Sequence, residues 1–435
     1  MKHTTTLIIL SMLCPLAASA QLHPTQQKSG YVKTLFSDTD SVAVYDALMA
    51  NAPSEFGSHV PRFAVIGKDR SFYIGLGGMV KAIVSYDFGN TMNHANEFYT
   101  SHIPFSRRPG DGGRIQFSAQ QTALFLNFVG LPGSDNEIGA FIGANLLGDG
   151  YAPALQYAYI RYRGIKAGYD KTLFSDPAAV PPSIDYEGVS SSCAIGNALV
   201  NYTCTFGKKK EWSAGVGIEL PMYSATDAAA LGTENPGAAY TVTQRVPDIP
   251  AFIQWSWADG SSWLRASAIV RNLLYHNPMA DKNVDKVGWG VQLSGTASIT
   301  PWLTAYYQGV YGKGVASYIQ DLCDGGMDLL PSASNLSVLN TVKTWGAYGA
   351  LQFNICPSVF ASASYSHVRN YVDGNVFDFD GYQYRYAQYV GANVFWDINN
   401  VLQAGVEYIY GRRIGASHAQ QGHDNRIQAS LQLSF

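Results

Sequence analysis

From residue 71 to the last residue, apolar and polar side chains alternate in segment after segment, the period of a strand with one oily face and one wet face. Such segments run over 71–88, 114–130, 137–147, 151–162, 165–174, 192–206, 212–223 and 247–258, and then over 263–276, 287–299, 303–316, 342–354, 359–369, 384–396, 401–411 and 425–435. They number about sixteen, an even count. The connections between them alternate too. Terse ones stand at 131–136, 164, 207–211, 259–262, 300–301, 356–357 and 397–400, and long ones rich in Gly, Pro, Ser and Asp at 89–113, 175–191, 224–246 and 317–341, with 148–150 as the one short exception. A strand of about ten to twelve residues tilted near 45° covers roughly 25 Å of membrane normal. The pattern therefore predicts an all-β fold, a closed antiparallel transmembrane β-barrel of about sixteen strands over residues 63–435, with short periplasmic turns and long extracellular loops.

The two ends of the chain bear on where such a barrel goes. Lys2 and His3 precede an apolar stretch over 7–16 and the small triplet Ala18-Ser19-Ala20, so residues 1–20 read as a signal peptide cleaved before Gln21. That stretch is too short to span a bilayer as a helix. Leu13 before Cys14 stands where a lipoprotein would carry a small residue. The closing strand ends on Phe435, the place where an outer-membrane barrel carries its terminal aromatic assembly signal. Residues 21–62 do not alternate and are interrupted by Pro53 and Pro61, so they read as a periplasmic arm or lumenal plug, with a helix over 41–49 suggested by Val42, Tyr45 and Leu48.

Composition agrees with strands that face lipid and water. Aromatics are 13% of residues, with 28 Tyr and 43 Gly, while charged residues are 14% against a typical quarter. Losing Lys2 with the signal leaves 28 basic and 32 acidic residues, so no surface for nucleic acid is implied. Four cysteines remain, Cys193, Cys204, Cys323 and Cys356. Cys193 and Cys204 are placed on one strand, about 36 Å apart at roughly 3.3 Å per residue, beyond disulfide reach. Isolated thiols are expected, with a Cys193–Cys323 bridge requiring both on the outer face.

Strand parity sorts the charges. On the first strand Phe72, Ile74, Leu76, Val80, Ala82 and Val84 take the lipid side, which turns Lys81 and Asp87 inward. The same test turns Arg161, Arg163, Lys166, Asp170, Glu219, Arg265, Arg271, Arg385, Glu407 and Arg426 to the inside. Basic residues are in surplus, so a water-filled lumen with this lining favours anions. The alternative is that these charges pair with one another. Lys81 and Arg271, near mid-strand, are the expected carriers, and Arg163 and Arg426 fall near the mouths.

Enzyme motifs are absent: there is no HExxH, GxSxG or Walker-type GK[ST], and the clusters Gly75-Leu76-Gly77-Gly78 and Gly215-Val216-Gly217 have no helix following. His94 with His102 and His418 with His423 share loops without defining a metal site, so no catalytic residue, metal or cofactor is expected. His367 takes the lipid-side parity and has no nucleophile beside it, which leaves a barrel hydrolase as the alternative reading; a transporter of hydrophobic compounds would need an apolar lumen.

The run Val60 to Lys81, the stretch Ser118-Ala119-Gln120-Gln121-Thr122, and Phe174-Ser175-Asp176-Pro177 with Ile184-Asp185-Tyr186-Glu187-Gly188 resemble the DcaP-like family of trimeric outer-membrane porins. That resemblance implies a homotrimeric channel in the outer membrane of a Gram-negative bacterium, inserted by the barrel-assembly machinery and surrounded by outer-membrane lipid. It also implies small anionic solutes of carboxylate type, and an inward fold of loop 175–191 that sets Asp176, Asp185 and Glu187 across a constriction from the basic wall. Residues 21–62 show no sustained heptads, so the coiled coil found in part of that family is not expected here.

Overall fold

The computed structural model describes residues 33–34, 41–53, 63–67, 70–90, 92, 94–106, 113–226 and 235–435. The expected signal peptide, its cleavage point and most of the 21–62 arm lie outside the described residues. The rest closes into a sixteen-stranded antiparallel barrel in which each strand pairs with the next in sequence and the last pairs with the first.

The strands are β1 Phe72–Asp87, β2 in two pieces at Arg114–Ser118 and Ala123–Gly130, β3 Ile138–Gly148, β4 Ala152–Tyr162, β5 Ile165–Lys171, β6 Gly196–Phe206 and β7 Trp212–Glu219. They continue with β8 in two pieces at Tyr240–Thr241 and Ile249–Trp257, β9 Ser262–Asn277, β10 Lys282–Thr300, β11 Leu303–Lys313 and β12 Lys343–Cys356. The last are β13 Val359–Tyr371, β14 Tyr384–Asp397, β15 Leu402–Gly415 and β16 Gln421–Ser434. At the seam the register runs from Arg426 opposite Asp87 to Ser434 opposite Met79, and the Phe435 amide and carbonyl both bond to Gly78. Below that point the short strand Phe63–Ile66 takes over the edge of β1, pairing Phe63 with Leu76.

Outward positions carry the apolar side chains that meet lipid, among them Leu76, Ile115, Phe117, Leu124, Ile160, Val291 and Leu431. Trp302 stacks on Phe353 and Trp212 on Trp255 near the short turns, and Trp289 with Tyr311 near the loops, the two aromatic girdles of a barrel in a bilayer.

Several boundaries differ from the alternation pattern, each for a local reason. β10 begins at Lys282, so the connection after β9 is the tight turn 278–281 and the hairpin projects beyond its neighbours. Together with 416–420 this makes three short connections on the loop side. β2 breaks at 119–122, where the Leu146 amide bonds the carbonyls of Gln120 and Thr122 in place of a regular ladder. β6 starts at Gly196, which leaves Cys193 in the preceding loop; Cys193 and Cys204 share no strand, and all four cysteines are free.

The interior is filled from both ends. Helix α1, Ser41–Asn51, lies against the inner wall at the short-turn end, with Val44 and Leu48 packed on Ala64, Tyr73 and Val129. Pro53 follows the helix closely and cannot continue it. The Asn51 amide donates to Asn127 Oδ1 at 2.6 Å, Phe128 O at 3.2 Å and Ala140 O at 3.1 Å, and the Tyr159 hydroxyl donates to Asn51 O at 2.7 Å. At the loop end, residues 314–342 fold inward as a packed unit, Val315, Tyr318, Leu322, Met327 and Leu330 meeting Ile269, Val310 and Val368 of the wall. Met92, Phe98 and Ile103 of the first long loop form a second cluster with Val189, Tyr348, Tyr389 and Ile409.

Candidate functional site

The connection between β5 and β6, residues 172–195, does not stay outside the barrel. It crosses the lumen and takes hydrogen bonds from all six of the far strands β9 to β14, Ser362 Oγ of β13 donating to Pro182 O at 3.3 Å. Trp263 Nε1 and Ser294 Oγ donate to Asp176 Oδ2 at 2.9 and 2.8 Å. The Tyr348 hydroxyl donates to Ala179 O at 3.0 Å, Asn393 to Pro182 O at 2.8 Å, and Gln308 to Ser191 O at 2.7 Å. Pro181 and Pro182 within it limit the backbone freedom that docking removes.

Glu407 holds the tip of this loop. One carboxylate oxygen accepts from the amides of Ile184 and Asp185, each at 3.0 Å, and from Gln428 at 2.7 Å; the other accepts from Ser183 Oγ at 2.8 Å and Asn393 at 3.0 Å. Asp185, buried next to it, accepts from the Phe98 amide at 2.9 Å and so ties the first long loop to the crossing loop. Burial, and then the charge of Glu407, push the Asp185 carboxyl up to about 8. Glu187 is buried with neither carboxylate oxygen hydrogen-bonded; burial first, then Asp321 and Asp185, raise it well above the ordinary range. The acidic residues of this loop are thus buried, Asp176 against the wall and Asp185 and Glu187 at the loop's packed tip, and do not line up across an open constriction.

The wall cations divide into those consumed by pairing and those that are not. Arg271 is buried, its Nε 3.0 Å from Asp248, Nη1 3.2 Å from Asp328 and 2.7 Å from Gly314 O, with the guanidinium over the Tyr318 ring. It faces inward but is sealed from the lumen by loops that carry its two carboxylates. Arg426 makes a two-pronged pair with Asp87 at 2.6 and 3.0 Å and donates to the carbonyls of His94 and Glu97, so it is the buried anchor of the first long loop and not a group at the mouth. Lys166 pairs with Asp170 on its own strand, and its side chain remains 27% exposed over the Tyr159 ring. Glu219 accepts from Thr172 Oγ1 and the Leu173 amide, both at 2.6 Å, which fixes the start of the crossing loop.

Lys81 is buried: Nζ donates to Gln121 Oε1 at 2.6 Å and to Ile184 O at 3.4 Å, bridging the break in β2 to the loop tip. Arg265 is half-buried, its guanidinium 3.6 Å from the centre of the Phe252 ring, donating to Leu173 O at 2.7 Å and Ser267 Oγ at 3.3 Å. Arg161 reaches from the wall to Ala50 O of α1. Arg163 departs from strand parity: it sits in the β4–β5 turn with a positive φ of 46° and bonds Asp135 O and Asn136 Oδ1 of the neighbouring turn, outside the lumen. Arg385 falls in a bulge between Tyr384 and Tyr386, which takes it out of strict alternation.

Parity could not find Asp248 and Asp328, because loop residues have no register. Arg413, which donates to Ser101 O and stacks on Phe105, lies past the point where alternation stops. His367 stands on the outer wall, stacked on Trp345 and Tyr386. Between the crossing loop and β1 to β4 a cavity of about 190 Å³ remains, lined by Gln121, Asn145, Gln156, Tyr157 and Tyr186 among others.

A family model described as the porin subfamily matches residues 133–432. Among solved structures, the outer membrane channel DcaP of Acinetobacter baumannii superposes with a TM-score of 0.70 at 18% identity, over 85% of this chain and 99% of that one. The anion-selective porin from Comamonas acidovorans gives 0.52 at 11% identity, over 84% of this chain and 100% of that one. Pseudomonas putida OprB gives 0.51 at 12% identity, over 84% and 95%. Among curated proteins none matches by sequence. At these identities the structural likeness is one of fold.

Proposed function

The chain belongs to the porin subfamily and folds as an outer-membrane channel of a Gram-negative bacterium, and from that premise we propose that its lumen passes small hydrophilic solutes by diffusion with a preference for anions. The observation that carries the preference is Arg265, a half-buried inward cation beside the crossing loop whose hydrogen bonds go to a carbonyl and a hydroxyl. Arg161 adds to it, reaching a carbonyl of α1. Of the inward wall acids, Asp87 is paired with Arg426 and Asp170 with Lys166, while Glu219 and Glu407 accept from loop amides. Glu219 and Glu407 are turned into the crossing loop and Arg265 and Arg161 toward the passage, and a charged lining in a narrow aqueous passage sets the sign of what is favoured. Carboxylates are the anion class the family resemblance favours, loop 175–191 is the constriction, and three copies are expected to associate through their walls.

Reversal potentials in planar bilayers under a salt gradient test this. Replacing Arg265 and Arg161 with Gln is expected to move the zero-current potential toward cation preference. The shift should shrink as salt rises, since the screening length falls from about 30 Å at 0.01 M to about 3 Å at 1 M. An unchanged potential with conductance intact would sink the anion preference and leave a nonselective pore.

A further inference from the structure

The outer wall carries charge where a lipid-facing surface should have none. Lys313 on β11, Lys343 on β12, Arg369 on β13 and Arg412 on β15 all take outward parity, since their neighbours Gly312, Thr344, Val368 and Gly411 point inward and are buried. All four stand toward the loop end of their strands. On β12, Lys343 is twelve residues above Ile355, which faces lipid near the short turns. At about 3.3 Å per residue and a tilt near 45° that is roughly 28 Å of membrane normal, the upper edge of an apolar band about 25 Å tall.

Lys313, Lys343 and Arg369 form one patch, with Arg412 at the same rim beyond β14. Lys313 and Lys343 are direct cross-strand partners, Lys343 is opposite Tyr371, and Arg369 is opposite Trp345. Lys343 lies 4.6 Å from the centre of the Tyr371 ring and Arg369 5.1 Å from the same ring. Among the described residues no carboxylate lies within ion-pairing distance of any of the four. Two like charges directly opposite on one sheet face repel, with Cβ atoms about 5 Å apart. The ends of β1 and β2 on the same rim carry Tyr86, Phe88, Ile115 and Phe117 instead.

We propose that this patch on β11 to β13 binds the phosphorylated sugar headgroup of the outer-leaflet glycolipid, the phosphates lying among Lys313, Lys343 and Arg369 and the sugar rings against Tyr371 and Trp345. In the outer leaflet the anionic phosphates lie at the height where these cations end, an anion between Lys313 and Lys343 removes their repulsion, and Arg presents a fork matched to phosphate oxygens. Acyl chains then run down the apolar wall below.

Native mass spectrometry of the full-length protein in detergent, titrated with diphosphoryl lipid A and with its dephosphorylated counterpart, tests the assignment. Each basic residue near an anionic lipid surface contributes on the order of a fivefold change in affinity. The wild type is expected to bind the diphosphoryl lipid at least roughly tenfold more tightly than the dephosphorylated one. The variant K313Q/K343Q/R369Q should lose that difference, K343R should keep it, and heat-modifiable gel migration should report a folded barrel in each. Equal binding of the two lipids by the wild type overturns the proposal without any variant. Undiminished phosphate discrimination by the triple variant overturns it too, as does a change in oligomeric state with lipid binding unaltered, which would make the patch a face between copies.

Discussion

The buried acids of the crossing loop make its docking sensitive to pH. Asp185 has its folded value raised to about 8, by burial first and the charge of Glu407 second. A raised carboxyl contributes stability that is full below its unfolded value near 3.9 and lost as pH rises through the folded one. Docking should therefore loosen progressively between about pH 4 and 8 and level off above that, and single-channel traces are expected to show open-channel noise rising over that range. Asp185→Asn should flatten the dependence; a profile as steep as the wild type would place its origin elsewhere. Arg271 offers a second measurement. Removing it by Arg271→Ala leaves Asp248 and Asp328 buried without their cation, a loss on the order of 3–5 kcal/mol, whereas Arg163→Ala in the exposed turn should leave stability unchanged. Thermal loss of the heat-modifiable gel band compares the two. Alternation decides which face a strand residue takes and says nothing about what it meets there. That is why the sequence carried the inward facing of Lys81, Glu407 and Arg426, while Asp248, Asp328 and the Ile184 carbonyl, contributed by loops far along the chain, could not be read from it.

Among elements, the long connections explain most of what period two left unread. Strand number follows from alternation because each crossing has to repeat the same two-faced pattern, yet the breaks in β2 and β14 are backbone events without a hydrophobic signature. Helix α1 shows how tightly an interior element can be fitted. A Cβ added at Gly139 would come within 1.8 Å of Asn51 Oδ1. Gly139→Ala is expected to push α1 off the wall while leaving the β2–β3 ladder in place, read as faster protease cleavage between residues 41 and 62 in the reconstituted protein; unchanged cleavage would mean that the helix gives way locally. The crossing loop can be tested as a unit. Excision of residues 178–188 removes the loop partners of Glu407, Tyr348 and Asn393 without touching a strand, and conductance is expected to rise severalfold. A conductance equal to that of the full chain would locate the narrowest point elsewhere.

At the scale of the molecule, closure rests on one seam, β16 against β1, completed below by Phe63–Ile66. Deleting Phe435 removes two backbone hydrogen bonds to Gly78 and one partly exposed ring, a loss of about 1.5–3 kcal/mol in burial. The expected consequence is a failure of outer-membrane delivery larger than that loss explains, measured as the fraction of protein recovered in outer-membrane fractions; wild-type recovery would contradict it.

The bidentate pair of Asp87 and Arg426 spans that same seam. The two residues are about as far apart in the chain as the barrel allows, and they meet only when the first and last strands lie in one alignment. A slip of one residue would turn Arg426 out into hydrocarbon, and a slip of two would leave it enclosed without its carboxylate. Either error carries its own energetic penalty, so the pair checks the alignment of the seam that it spans.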